Sequence, residues 1–118
     1  MDKKQFQQRT KMLGIRIIKM TEAMPNRRAA DIVARQIIRS STSVGSNYRA
    51  ACRARSTADM INKLKTVEEE ADETLFWLEV IIETEMMSQD KLKALQKEAD
   101  EILAMTIASI KTLRRRKS

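Results

Sequence analysis

The chain has 118 residues, 42% apolar and 33% charged, with 23 Lys and Arg against 16 Asp and Glu and a net charge of +7. That length suits one domain with a real core, and two glycines, one proline and a single cysteine allow few turns and no internal disulfide. The absence of histidine removes the commonest general base and the commonest transition-metal ligand.

The lone thiol, Cys52, suits a reducing cytoplasm. The N-terminus is followed by no apolar core of signal-peptide length, and no uncharged apolar run approaches the roughly 20 residues of a membrane span. A cytoplasmic chain without a membrane role is therefore expected. Its basic charge allows an anionic partner, nucleic acid above all. That charge is segregated along the sequence. Residues 1–55 hold 13 Lys and Arg against 3 Asp and Glu, residues 56–90 hold 2 against 10, and residues 91–118 hold 8 against 3. Such blocks can complement one another within a bundle or between subunits.

Alanine, charged residues and aliphatics dominate, and four helices are expected, over residues 3–23, 27–54, 56–87 and 88–115. In the first, Phe6, Leu13, Ile17, Met20 and Met24 share a face, and Pro25 ends it. The second turns Val33, Ile37, Ser41, Val44, Tyr48 and Ala51 inward. Its middle, from Ser40 to Asn47, is a weak helix former in which Gly45 alone costs about 1 kcal/mol relative to alanine. Close helix packing explains the small residues, a kink is allowed there, and a hydroxyl-rich binding surface is the alternative.

The third helix opens with Ser56 as N-cap and Asp59 in its first turn. It contains the stretch EEEADETLFWLEVII over residues 68–82, acidic first and then almost wholly apolar. Leu64, Val67, Ala71, Leu75, Leu78 and Ile82 form the expected core stripe. Phe76, Trp77, Val80 and Ile81 lie off that stripe, and surplus apolar surface usually marks an interface. These four are the candidate contacts with a neighbouring subunit, with Glu68, Asp72, Glu79 and Glu83 as an acidic stripe beside them. In the fourth helix, after Ser88, Leu92, Leu95, Ala99, Ile102, Met105, Ile110 and Leu113 lie broadly on one side, and Arg114, Arg115, Arg116 and Lys117 suit a helix C-terminus. The expected fold class is all-α, an antiparallel up-down-up-down four-helix bundle in a single domain. A coiled-coil dimer of helical hairpins is the alternative.

Chemistry is scarce. Carboxylate di-metal bundles need Glu-x-x-His pairs, which a chain without histidine lacks. The acidic run from Glu68 to Glu73 comes from one helix and reads as a solvated or ion-paired face, not a metal site. There is no phosphate-binding glycine loop and no activated nucleophile, so neither catalytic residues nor cofactors are expected. The best binding signal is a row on helix 2: Arg28, Arg35, Arg39, Arg49 and Arg53 point opposite its apolar stripe, with Thr42 and Ser46 in the gap and Asp31 interrupting. Guanidinium groups so spaced can follow the phosphates of RNA or DNA, with the basic surfaces of helices 1 and 4 contributing beside them. The competing readings are an ordinary solvated face and a surface paired with acidic helix 3. The four aromatics, Phe6, Tyr48, Phe76 and Trp77, form no stacking platform, so backbone contact is favoured over base recognition.

Residues 70–79 (EADETLFWLE), 39–51 (RSSTSVGSNYRAA) and 98–104 (EADEILA) followed by 109–112 (SIKT) resemble the bacterial four-helix-bundle proteins first known from intervening sequences in large-subunit ribosomal RNA genes. The resemblance runs from helix 1 to helix 4. Two departures stand out: many relatives have a glutamate-glycine pair where this chain has Ala50-Ala51, and a glycine after helix 3 where it has Glu85. The resemblance implies a ring-shaped homopentamer and carries no catalytic residues across. A distantly related bundle, the accessory variability determinant of diversity-generating retroelements, associates with a reverse transcriptase and nucleic acid, which puts RNA first among the partners. A protein partner, or a purely structural scaffold, is the alternative.

Overall fold

The structure is a computed structural model and describes residues 1–117, without the side chain of Lys117. Four helices fill it: α1 (Lys3–Thr21), α2 (Arg28–Cys52), α3 (Thr57–Glu83) and α4 (Gln89–Lys117). A helix of α3's length measures about 40 Å at the standard rise, and the molecule measures 49 × 21 × 20 Å. All four helices therefore run along the long axis, and links of a few residues can only reverse the chain. Neighbours in space are α1–α2, α2–α3, α3–α4 and α4–α1, the square of an up-down-up-down bundle.

Local chemistry sets the helix ends. Asp2 caps α1 in a reciprocal box with Gln5: Gln5 N–H donates to Asp2 Oδ1 at 2.8 Å, and Asp2 N–H donates to Gln5 Oε1 at 3.1 Å. Ser56 caps α3 as expected, its Oγ accepting from Asp59 N–H at 3.0 Å. The helix α3 stops at Glu83, four residues before the expected end. There Glu85 takes a left-handed backbone with φ of 61°, and Met86 N–H donates back to Ile81 carbonyl at 2.9 Å. That is the helix-ending turn that favours glycine at the left-handed position. Met86 then folds into the core.

Each of the two glycines of the chain packs against the backbone of the other helix in the α1–α2 pair. A Cβ on Gly14 would stand 3.2 Å from Thr42 Cα, and one on Gly45 would stand 3.1 Å from Lys11 Cα and Thr10 carbonyl oxygen. Either would press on backbone, so the small residues of α2 serve helix approach, and α2 continues unbroken through them. Residue 14 beside 42 and residue 45 beside 10 and 11 also fix the pair as antiparallel.

The inward stripe of α2 lies where expected, from Val33 to Ala51. In α3 the register differs by one residue at two places. The buried row is Leu64, Val67, Ala71, Thr74, Leu78 and Ile81, while Leu75 and Ile82 are only partly covered. In α4, likewise, Thr106 is buried and Met105 is not fully so. Threonine can occupy these sites because its hydroxyl is satisfied locally: Thr74 Oγ1 donates to Glu70 carbonyl at 2.9 Å, and Thr106 Oγ1 to Ile102 carbonyl at 2.7 Å. Thr74 also lies 2.9 Å from Ser40 Oγ, joining α2 to α3 inside the core. Among the described residues no buried side-chain polar atom lacks a partner.

The α1–α4 contact is the thinnest of the four, and a charged fork ties it. Arg9 donates through Nε and Nη2 to both oxygens of Glu98 at 2.7 and 2.8 Å, and through Nη2 to Glu101 at 2.6 Å. Arg9 in turn holds the Glu98 carboxyl below its ordinary range. Replacing Glu85 by glycine should raise stability by about 1 kcal/mol, because only the left-handed strain of the side-chain-bearing residue is relieved. Urea unfolding of Glu85→Gly beside the parent chain measures it; a midpoint that falls would show that Glu85 makes a contact outweighing the strain.

Candidate nucleic-acid interface

The five arginines of the α2 row are all exposed, yet they do not form one unit. Arg39 turns toward α3. Its Nη1 donates to Glu70 Oε2 at 2.9 Å and its Nη2 to Glu73, which also accepts from Trp77 Nε1 at 3.0 Å. Arg39, with Trp77 behind it, holds the Glu73 carboxyl below its ordinary range. The partners are thus Glu70 and Glu73, not the expected stripe of Glu68, Asp72, Glu79 and Glu83. Arg28, Arg35, Arg49 and Arg53 have no acidic side chain within ion-pair distance among the described residues.

Arg49 faces the other way, into a groove between α1 and α2. This cavity of about 510 Å³ is lined by Lys4, Gln7, Lys11, Thr42, Ser46 and Arg49, with Ile15 and Ile18 toward its other end. Gly45 forms part of its floor, so the close crossing that sets the helix pair also sets the groove. Because the pair is antiparallel and Gly45 sits beside Lys11, Arg49 lies one turn further toward Lys4. Lys4 and Lys11 were not singled out from the sequence. Their spacing of seven puts them on one face of α1, but only the packing shows that this face borders Arg49. The groove's hydroxyls are partly engaged at home, Thr42 Oγ1 donating to Ile38 carbonyl at 2.7 Å and Ser46 Oγ to Ser43 carbonyl at 3.3 Å. No aromatic side chain lines the groove.

On the outer face of α3 the structure departs from the expected interface. Ile81, expected to contact a neighbouring subunit, is completely buried within the bundle. The threonine at 74 shifts the core row, and the row continues through Leu78 to Ile81 at the three- and four-residue steps of a bundle seam. Phe76 remains, 53% exposed, with its ring edge-to-face against Trp77 at a centroid distance of 5.0 Å. Trp77 and Val80 are partly covered and pack against the core. Asp72, Glu79 and Glu83 are exposed around them, and Glu68 is partly covered. Among the described residues no group of three or more His, Cys, Asp or Glu could hold a metal ion, and no helix is long and apolar enough to cross a membrane.

The family model described as 23S rRNA-intervening sequence protein matches residues 2–108. The chain belongs to this family. A crystal structure of a protein of unknown function from the S23 ribosomal protein family of Bacteroides thetaiotaomicron is similar at 33% identity and a TM-score of 0.86, covering 94% of this chain and 99% of the other. No curated protein matches the chain. The fold expected of the family is thus the fold present.

Truncating Ile81 to alanine should cost about 2–4 kcal/mol of stability, the range for a large aliphatic removed from a core. Chemical denaturation at low protein concentration reads this, and a cost below about 0.5 kcal/mol would return Ile81 to the surface.

Proposed function

We propose that this chain is a non-catalytic binding protein that takes nucleic acid, RNA first, by its phosphate backbone on the basic surface of α1 and α2. The observation that carries the reading is the set of cations with no acidic partner among the described residues: Arg28, Arg35, Arg49 and Arg53 on α2, of which Arg49 shares a groove with Lys4 and Lys11 of α1. Flexible cations around a concave strip meet phosphate oxygens without reading bases, and the lack of a stacking aromatic in the groove fits that mode. A chain without histidine has few means of acid–base catalysis near neutral pH.

The reading includes self-association, with a ring of five as the expected form, through the outer face of α3. Phe76 supports it: a large apolar ring more than half exposed beside Trp77 is surface that a second copy can cover. The competing function is a protein scaffold whose arginines pair with acidic helices. Arg39 favours it, since that residue already pairs with Glu70 and Glu73 of α3.

RNA affinity should fall steeply with salt as counterion release is lost. Lys11→Gln combined with Arg49→Gln should lower affinity roughly tenfold and reduce the log–log salt slope by about two, whereas Arg39→Gln should change binding little. A wild-type chain that binds no RNA or DNA at low salt would sink the nucleic-acid reading. For assembly, light scattering should show an oligomer, and Phe76→Ser should weaken it about tenfold or more while the chain stays helical. A wild-type monomer at every workable concentration would remove self-association. An oligomer that dissolves on Arg49→Gln would assign that arginine to the scaffold.

A further inference from the structure

Antiparallel packing sorts the charge by end. With each helix divided near its midpoint, residues 1–12, 41–70 and 104–116 make up one half of the bundle, with 13 Lys and Arg against 5 Asp and Glu. Residues 13–40 and 71–103 make up the other, with 9 against 11. No continuous stretch of sequence shows this division, because the basic half is assembled from the beginnings of α1 and α3 and the ends of α2 and α4. Helix dipoles do not produce it either: each end of the bundle gathers two N-termini and two C-termini, whose fields oppose one another.

The few acids of the basic half are engaged or lie toward its inner boundary. Asp2 caps α1. Asp59 accepts from Arg55 backbone N–H at 3.3 Å and stands 4.0 Å from Lys63. Glu70 is paired with Arg39, and Glu68 and Glu69 adjoin it in α3 near the middle of the molecule. Toward the tip, Lys3, Lys4, Arg53, Arg55 and Arg116 are exposed and have no acidic partner among the described residues. They surround an end about 20 Å across, and a concavity of about 340 Å³ in the same half has Asp2, Lys3 and Arg116 in its wall. Arg49 of the groove lies on the flank of this same half. Arg28 and Arg35 lie in the other half, with Asp31 between them.

We propose that nucleic acid docks on this basic end of the bundle, not along the length of α2. The inference rests on the nucleic-acid reading above and assigns it a place. A polyanion approaching the molecule is drawn to the end where cations crowd and acids are engaged, and is repelled from the opposite half. End-on docking leaves the outer face of α3 around Phe76 uncovered, so binding and self-association can proceed together.

The test compares two variants that remove equal charge from exposed positions: Lys3→Gln, Arg53→Gln and Arg55→Gln at the basic end, and Lys19→Gln, Arg27→Gln and Lys93→Gln in the other half. Anisotropy of a fluorescent RNA hairpin, titrated at low salt and across a salt series, reads both. The first variant should weaken binding at least about tenfold and reduce the salt slope by two to three, while the second should stay within about twofold. Equal losses from the two variants, or a greater loss from the second, overturn end-on docking while leaving nucleic-acid binding in place. So does a first variant that binds normally while Lys11→Gln with Arg49→Gln does not. A wild-type chain that binds no hairpin overturns both.

Discussion

The close crossing of α1 and α2 at Gly14 and Gly45 is the constraint on which the remaining arrangement depends. At 3.1–3.2 Å from a would-be Cβ to the facing backbone, a larger residue would need the facing helix to give by a few tenths of an ångström. Glycine weakens an isolated helix by about 1 kcal/mol, yet both glycines of the chain stand in helix interiors, at this one contact. The approach sets the depth and lining of the α1–α2 groove and brings Lys4 and Lys11 to the side of Arg49. The helix-weakening composition of the middle of α2 is the cost of a packing requirement met elsewhere.

Charge in this bundle has two distinct destinies, and residue type does not separate them. Arg9 and Arg39 are spread across seams, each grasping two glutamates of a neighbouring helix. Arg9 does so with only 21% of its side chain exposed, where reduced screening makes charge-assisted bonds stronger, and it ties the most thinly packed seam. Arg39 is 51% exposed, so its pairs contribute less to stability and more to fixing where the acidic face of α3 lies relative to α2. Arg28, Arg35, Arg49 and Arg53 share the helix with Arg39 and fall in the same row in projection, but have no acidic partner among the described residues. A row that looks uniform in a helical projection is divided by which neighbour each member can reach.

The errors of sequence reading have one origin. Periodicity assigns the core to apolar side chains, so Leu75, Ile82 and Met105 looked like core and Ile81 like surface. The structure places Thr74 and Thr106 inside, each returning its hydroxyl to the carbonyl four residues earlier. Such a bond removes the penalty for burying the oxygen, and threonine then behaves as a small β-branched filler. Once Thr74 takes the core site, steps of four and three carry the row to Leu78 and Ile81. The end of α3 is a related case: its glutamate at 85 hides a turn that glycine would have announced.

Sequence by itself determined the helices, their approximate limits, the all-α class, the family and the inward stripe of α2, because apolar periodicity, proline, capping residues and family motifs are local signals. It also listed the five arginines and the exposed ring of Phe76. Only the tertiary structure decided that Arg39 is committed to Glu70 and Glu73, that Ile81 is core, that Lys4 and Lys11 border Arg49, and that cations from parts of all four helices gather at one end. Those outcomes depend on which surfaces meet when antiparallel helices pack, and contacts between residues tens of positions apart leave no periodic trace in the chain.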